Sequence, residues 1–348
     1  MTLGNCTTLC PVACSQYLDK KVQKILLVLL SPLAYYKSGE IRSVAEILRS
    51  WLDERGFQLS YNVAKISVLI CRWRGAIVNL DSRSIGIFDS GLGGLTTVKK
   101  LSEYLPGEDI VYLGDTGRVP YGSRSKETII KYAGQDAAFL ASFDIKAMVI
   151  ACNTVCSVAY GSLASFYQMP VYEVVSAPAK TAVGITKNGK VGVIGTAATI
   201  RSGAYEMAVR EAAPDIRVFS EPCPLFVPLA ENGRTDDKDI AVLTIAGDYL
   251  KALRDAEIDT LIMGCTHYPL LKKVISKVMG PDVTLIDSGA ETAKMAAGDL
   301  EERGLLSSKK SGGIIKYFVT DSTDGFAALA SEFLETEVTA SVEQVTIE

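Results

Sequence analysis

The chain has 348 residues, 48% of them hydrophobic and 22% charged, long enough for two ordinary globular domains and unlike the composition of a disordered or fibrous chain. Its formal net charge is −4, so no global basic field argues for nucleic acid and no such partner is expected. Its 8 cysteines are scattered over the whole length, which fits a reducing cytoplasm better than a secreted disulfide scaffold.

The first segment in chain order is unlike the rest. Residues 1–83 carry 11 basic and 6 acidic side chains, net +5, and the remainder 25 and 34, net −9. Cys6, Cys10 and Cys14 would share one broad face of a helix, but their spacing is not the two-residue gap of zinc knuckles, and scattered thiols are the plainer reading. The apolar run ILLVLLSPLAYY (25–36) follows Lys20, Lys21 and Lys24 as a signal peptide's would. It carries Pro32, falls short of the roughly 20 residues a membrane span needs, and is not followed by a small-residue cleavage pattern, so neither secretion nor a membrane span is expected. Ile41, Val44, Ile47, Leu48, Trp51 and Leu52 recur at helical spacing and predict an amphipathic helix ending near Gly56, and ISVLIC (66–71) predicts a strand. The segment is either an appended element or upstream sequence read through from a misplaced start. A chain beginning near Val78 is expected to fold and keep its activity; loss of solubility or of most activity on that truncation would show the segment to be integral.

From Ser84 the texture changes. SIGIFDSG, DIVYLGD, AMVIACNT, MPVYEVV, KVGVIGT, TLIMGCT and VTLIDSG each predict a buried strand ending in small and polar residues, with helical stretches such as 127–143 and 239–256 between them. Strands alternating with helices predict βαβ units and a mainly parallel sheet, with chemistry at the carboxyl ends of the strands.

A phrase in this part occurs twice. FDIKAMVIACNT (143–154) and AEIDTLIMGCTH (256–267) share an acidic residue, an isoleucine, a buried strand, a small residue and a cysteine; IGIFDSGLGGLTTV (85–98) and VGVIGTAATIRSG (191–203) pair more weakly. The chain therefore reads as two related halves. If they face each other about an approximate twofold, Cys152 and Cys265 reach one cleft from opposite sides. His267, the single histidine, follows Cys265 by two residues.

Three chemistries could use that grouping. A zinc site wants about four ligands and would need Cys152 and a carboxylate to complete the set. A Cys/His hydrolase needs one nucleophile, one histidine and an oxyanion hole, not two cysteines in equivalent places. Two opposed thiols suit inversion of a carbon stereocentre, in which one face loses a proton and the other gains one. A thiol, with an ordinary pKa near about 8.5, needs only a modest shift to act either way. Each residue also has a plain reading. The two cysteines could be packing residues at strand ends, Asp89, Ser90 and Thr154 helix caps, and Gly91, Gly93 and Gly94 turn formers. Cys156 and Cys223 have no counterpart in the repeat and read as packing.

FDSGLGGLT (88–96), PYG (120–122), ACNT (151–154) and GCTHYPLL (264–271), in this order and at these separations, resemble the cofactor-independent aspartate/glutamate racemase superfamily over about 84–334. Within it they are similar to the glutamate branch, because the aspartate branch usually has an acidic residue after the second CT. The resemblance implies an isomerase that interconverts L-glutamate and D-glutamate with no pyridoxal phosphate and no metal, a cytoplasmic homodimer that supplies D-glutamate for peptidoglycan and hence for cell wall and cell shape. It implies Cys152 and Cys265 as the acid/base thiols, Asp89 assisting one and His267 the other. It also implies a binding set of Asp89, Ser90, Pro120, Tyr121, Gly122, Asn153, Thr154, Thr266 and His267, with Thr199 and Glu231 added on shorter motifs. Strand ends that run into helix starts are coherent with this, since they offer backbone N–H groups to a substrate with two carboxylates. The implied fold is two pseudo-symmetric α/β domains with the active site at their interface, 84–175 plus 286–340 forming one and 176–285 the other, closing over the substrate to exclude water. Two other functions stay open on the residues. A non-catalytic module for an acidic amino acid would keep Ser90, Thr154 and Thr266 and need neither thiol, and a Cys/His amidase would release a burst of product from activated amides.

Overall fold

The computed structural model describes residues 81–324, 326–334 and 342–347; the expectations for Cys6, Cys10 and Cys14, for the apolar run 25–36, for the helix over 41–52 and for the strand at 66–71 fall outside the described residues. The first half runs β1 (Ile85–Asp89), α1 (Leu95–Tyr104), β2 (Ile110–Gly114), α2 (Lys126–Ala141), β3 (Ala147–Ile150), α3 (Asn153–Phe166) and β4 (Val171–Glu173). The second runs α4 (Ser176–Ile185), β5 (Lys190–Gly195), α5 (Ala197–Ser202), α6 (Ala204–Ala212), β6 (Arg217–Pro222), α7 (Phe226–Glu231), α8 (Ile240–Asp255), β7 (Thr260–Gly264), α9 (Lys272–Met279) and β8 (Thr284–Asp287). The chain then adds α10 (Ser288–Glu302), β9 (Ile315–Val319), α11 (Phe326–Leu334) and β10 (Val342–Gln344).

Two sheets result, in the orders β10-β9-β2-β1-β3-β4 and β6-β5-β7-β8, and the pairings in both are parallel. This is the α/β class that the strand–helix alternation predicts. Helices cover both faces of a parallel sheet, which is why β1, β2, β3 and β7 are buried from end to end and read as unbroken apolar runs. β6 is an edge strand of partly exposed residues, RVFSEP, and so carries no such run. The polypeptide leaves the first sheet after Glu173 and leaves the second after Asp287, since Ile286 and Asp287 still pair with Ile262 and Met263 of β7.

The repeat survives in the packing. The order β2-β1-β3-β4 in one sheet matches β6-β5-β7-β8 in the other, so β1 corresponds to β5 and β3 to β7. A Cβ on Gly86 would stand 2.6 Å from Ile145 Cδ1, and one on the corresponding Gly192 would stand 2.3 Å from Ile258 Cδ1. Each half thus seats one isoleucine on a strand glycine. The acidic residue before each isoleucine, Asp144 (φ 49°) and Glu257 (φ 56°), turns left-handed to end a helix and start a strand, a conformation that aspartate tolerates better than most residues and that Glu257 adopts without that preference.

Candidate active site

Parallel strands deliver their carboxyl ends to one edge of each sheet, and four of those ends carry the candidate residues. Asp89 closes β1, Cys152 follows β3 and precedes α3, Thr196 follows β5 and caps α5, and Cys265 to His267 follow β7. Cys152 and Cys265 are each only 5% exposed and both are free thiols.

The two cysteines have different partners. Cys152 donates to Ser90 Oγ at 3.3 Å, and its pKa is pushed up to about 12, by burial first and by the Asp89 carboxylate second. Cys265 Sγ lies 4.0 Å from His267 Nδ1, and His267 Nε2 lies 3.0 Å from Glu231 Oε1. Burial alone would drive the imidazole towards neutrality, but Cys265, Glu231 and Asp89 outweigh it and hold the pKa up to about 10. A pKa held that high favours the charged ring, which would direct one N–H at Glu231 and the other at the Cys265 sulfur. Such a charge stabilises a thiolate. Phe333 of α11 packs edge-on against the ring at 5.6 Å.

Asp89 sits where both the Cys152 thiol and the His267 ring feel it. Its Oδ2 accepts from Gly91 N–H at 3.1 Å, and its Oδ1 is buried without a partner. Burial raises its pKa, against the charge of His267 and the N–H groups of Gly94, Gly91 and Ser90. A buried, unpaired carboxylate oxygen costs free energy unless something shares it.

The remaining candidates are brought together by contacts across the halves. Thr154 Oγ1 lies 3.0 Å from Thr196 Oγ1, which lies 3.0 Å from Thr199 Oγ1. Thr96 of α1 donates to the Thr266 carbonyl at 3.1 Å, and a Cβ on Gly93 would meet Thr266 Oγ1 at 2.2 Å and His267 Nδ1 at 2.6 Å. Asn153 reaches Ser288 and Tyr205. Pro120, Tyr121 and Gly122 form a loop with a cis Val119–Pro120 bond, and a Cβ on Gly122 would stand 3.2 Å from Thr196 Cβ. The Tyr121 side chain turns into a buried network instead. Its hydroxyl bonds Asp115 and Asp136, and Arg118 bridges the same two carboxylates while lying over Tyr132. Asp136 is held well above the ordinary carboxylate range by burial and then by Asp115. What this loop offers a ligand is main chain, held rigid by its own tyrosine.

Thr196, Tyr205, Ser288 and the close approach of Gly93 were not legible as site features. One signal was available for Thr196. The pairing of 85–98 with 191–203 sets it opposite Ser90, the residue that faces Cys152.

Comparison with known proteins places the chain among relatives of one kind. The family model of the Asp/Glu/hydantoin racemases matches residues 92–296. The glutamate racemase of Geobacter metallireducens is 47% identical over 266 residues, covering 76% of this chain and 97% of that protein, and that of Persephonella marina is 48% identical over 247 residues, covering 71% and 91%. Among solved structures, glutamate racemase from Francisella tularensis in complex with D-glutamate superposes with a TM-score of 0.71 at 41% identity, covering 77% of this chain and 98% of that one.

Proposed function

The chain belongs to the Asp/Glu/hydantoin racemase family and is a racemase, and on that premise we propose that it interconverts L-glutamate and D-glutamate by proton transfer between two cysteines. One observation carries the reading: two buried thiols stand at corresponding strand ends of two like-ordered sheets, each with its own polar partner. In each turnover one thiolate takes the α-proton and becomes a thiol. The thiol on the other face protonates the flattened carbanion and is left as a thiolate, so the enzyme ends with its proton on the other side. Burial strengthens every interaction that stabilises the carbanion, because little water competes.

Residue roles follow from chemistry. Cys152 and Cys265 are the acid/base pair. Asp89 and Ser90 set the state of Cys152, and His267, backed by Glu231, sets that of Cys265. The two glutamate carboxylates are held by hydroxyls and main-chain N–H groups of Ser90, Tyr121, Gly122, Asn153, Thr154, Thr199 and Thr266, with Pro120 shaping the loop that presents Tyr121 and Gly122. Neither metal nor pyridoxal phosphate takes part. The protein works in the cytoplasm as a homodimer, and its D-glutamate feeds peptidoglycan and so cell wall and shape. Among the described residues no helix is long and apolar enough to cross a membrane.

The test is to follow the optical rotation of L-glutamate, and then of D-glutamate, with purified protein and no added cofactor. Both should decay to a racemate; constant rotation in both would sink the proposal. The pH dependence is part of the same test. With the Cys152 thiol pushed up to about 12, the reaction that uses it as base should speed up as pH rises from 7 to 9. It should turn over as His267, held up to about 10, loses its charge. His267→Asn should remove that upper limb. The stability linkage runs the same way, because a raised folded pKa stabilises fully below the unfolded value, about 6.5 for histidine, and loses the effect as pH climbs through the folded value. Tm should therefore fall between pH 7 and 10 more steeply in wild type than in His267→Asn.

A further inference from the structure

Tyr205 of α6 is 3% exposed and is not needed by the proton-transfer chemistry, yet it touches both thiol-bearing turns. Its ring lies against Gly264, the residue before Cys265, where a Cβ would come within 2.9 Å of Cε2. Its hydroxyl lies 2.5 Å from Asn153 Oδ1, the residue after Cys152, and 2.8 Å from the Val174 carbonyl. Val174 stands where the chain leaves the first sheet. Ser288, whose hydroxyl lies 3.4 Å from Asn153 Nδ2, stands where it leaves the second. The two crossings are themselves joined, since Thr292 Oγ1 donates to the Glu173 carbonyl at 3.2 Å.

Proton counting sharpens the picture. A phenol has one proton and cannot donate to both the Asn153 amide oxygen and the Val174 carbonyl. The set balances when the Asn153 amide is turned so that its N–H donates to the phenol oxygen, the phenol donates to Val174, and the Ser288 hydroxyl donates to the amide oxygen. The phenol and the Ser288 hydroxyl then each have an acceptor, and Asn153 is fixed in one orientation at the start of α3.

We infer that Tyr205 is a positioning residue, a buried strut that sets the spacing of the Cys152 and Cys265 turns and ties both to the point where the chain crosses between the sheets. The inference rests on the racemase reading for its kinetic consequence and on geometry alone for its structural one. Misplacing one thiol by a fraction of an ångström penalises the transition state more than ground-state binding, since proton transfer is steep in distance.

The experiment compares Tyr205→Phe with Tyr172→Phe, which removes another buried tyrosine's hydroxyl, one bonded to Asp299 at 2.7 Å away from the site. Each protein is assayed well below its Tm. Tyr205→Phe should lower kcat about tenfold or more in both directions with KM within about threefold, and Tyr172→Phe should leave both near wild type. Hydrogen exchange should show faster amide exchange at 151–155 in Tyr205→Phe, which keeps its ring against Gly264, and at both 151–155 and 264–268 in Tyr205→Leu, with neither change in Tyr172→Phe. Near-normal kcat in Tyr205→Phe beside an active wild type would overturn the inference. So would an unchanged 151–155 turn in Tyr205→Phe, or loosening of one turn alone in Tyr205→Leu. If wild type itself fails to racemise glutamate, the functional reading falls, while the exchange comparison still decides the strut.

Discussion

Cys152→Ser and Cys265→Ser should each abolish racemisation, by about a thousandfold or more, and leave glutamate binding within a few-fold. A serine hydroxyl is a far weaker acid than a thiol, and each sulfur acts in the transition state rather than in ground-state binding. The isotope pattern follows from the same geometry. With one thiol on each face, the group that takes the proton is not the one that replaces it, so in deuterated water the new enantiomer should carry deuterium at Cα from the earliest turnovers, while unreacted substrate stays largely protiated. A single base visiting both faces would often return the original proton. His267→Asn should be milder than either serine variant and should slow the two directions unequally, because its ring serves Cys265, whereas Ser90 and Asp89 attend Cys152. Near-normal racemisation by Cys152→Ser, or early product that keeps its proton, would leave Cys265 with His267 as a pair acting alone.

The asymmetry of the two thiols has a physical basis. Cys152 lies beside a buried carboxylate that resists its ionisation, whereas Cys265 lies 4.0 Å from the His267 ring. Under the two-thiol proposal, Cys152 is therefore the thiol that burial and Asp89 oppose as a base. A cycle that must run both ways needs this difference to be small on binding. A bound substrate, with its ammonium and two carboxylates, is the new charge available to redress it. Under the proposed function, a cationic group meeting the buried, unpartnered Asp89 Oδ1 would remove part of the repulsion that holds the Cys152 thiol up.

Much of this was legible because the chain says it twice. The acidic residue and isoleucine before each cysteine strand were legible as a recurring pair, and the structure makes each pair a left-handed turn and a side chain seated on a strand glycine: Asp144 with Ile145 on Gly86, Glu257 with Ile258 on Gly192. Strands buried on both faces announce themselves as apolar runs, so β1, β3, β5 and β7 could be read directly. β6 could not, since an edge strand with the sequence RVFSEP has neither run nor clean alternation. Tyr205 was invisible for a different reason. Its role depends on Asn153 and Val174, 52 and 31 residues away, and nothing local separates a strut from an ordinary core tyrosine. Tyr121 shows the converse, where the motif marked a loop and the tyrosine side chain turns into the Asp115, Arg118 and Asp136 network instead of standing free for a ligand.

Gly93→Ala should lower kcat/KM by about a hundredfold or more while the protein stays folded. The added methyl would occupy space 2.2 Å from Thr266 Oγ1 and 2.6 to 2.7 Å from His267 Nδ1 and Cε1, well inside any tolerable contact. Neither neighbour can step aside cheaply. Thr266 is buried with its carbonyl bonded to Thr96, and the imidazole is held by Glu231 on one nitrogen and packed against Phe333. The turn after β1 must then draw back from the turn after β7, carrying Asp89 and Ser90 away from alignment with the second thiol, and a displacement of about 1 Å is enough for an effect of this size. Gly134→Ala, inside α2 with nothing within 4 Å of the new methyl, is the control. It should leave activity unchanged and stabilise by up to about 1 kcal/mol through helix propensity, so a general intolerance of alanine is not what the first variant reports. Near-normal kcat/KM in Gly93→Ala would mean that the two turns are not in working contact. The repeat sets Gly93 opposite Thr199, and the difference follows from the same contact. One half keeps a hydroxyl at that position within the Thr154–Thr196–Thr199 chain, and the other must give up its side chain altogether so that His267 can stand beside Cys265.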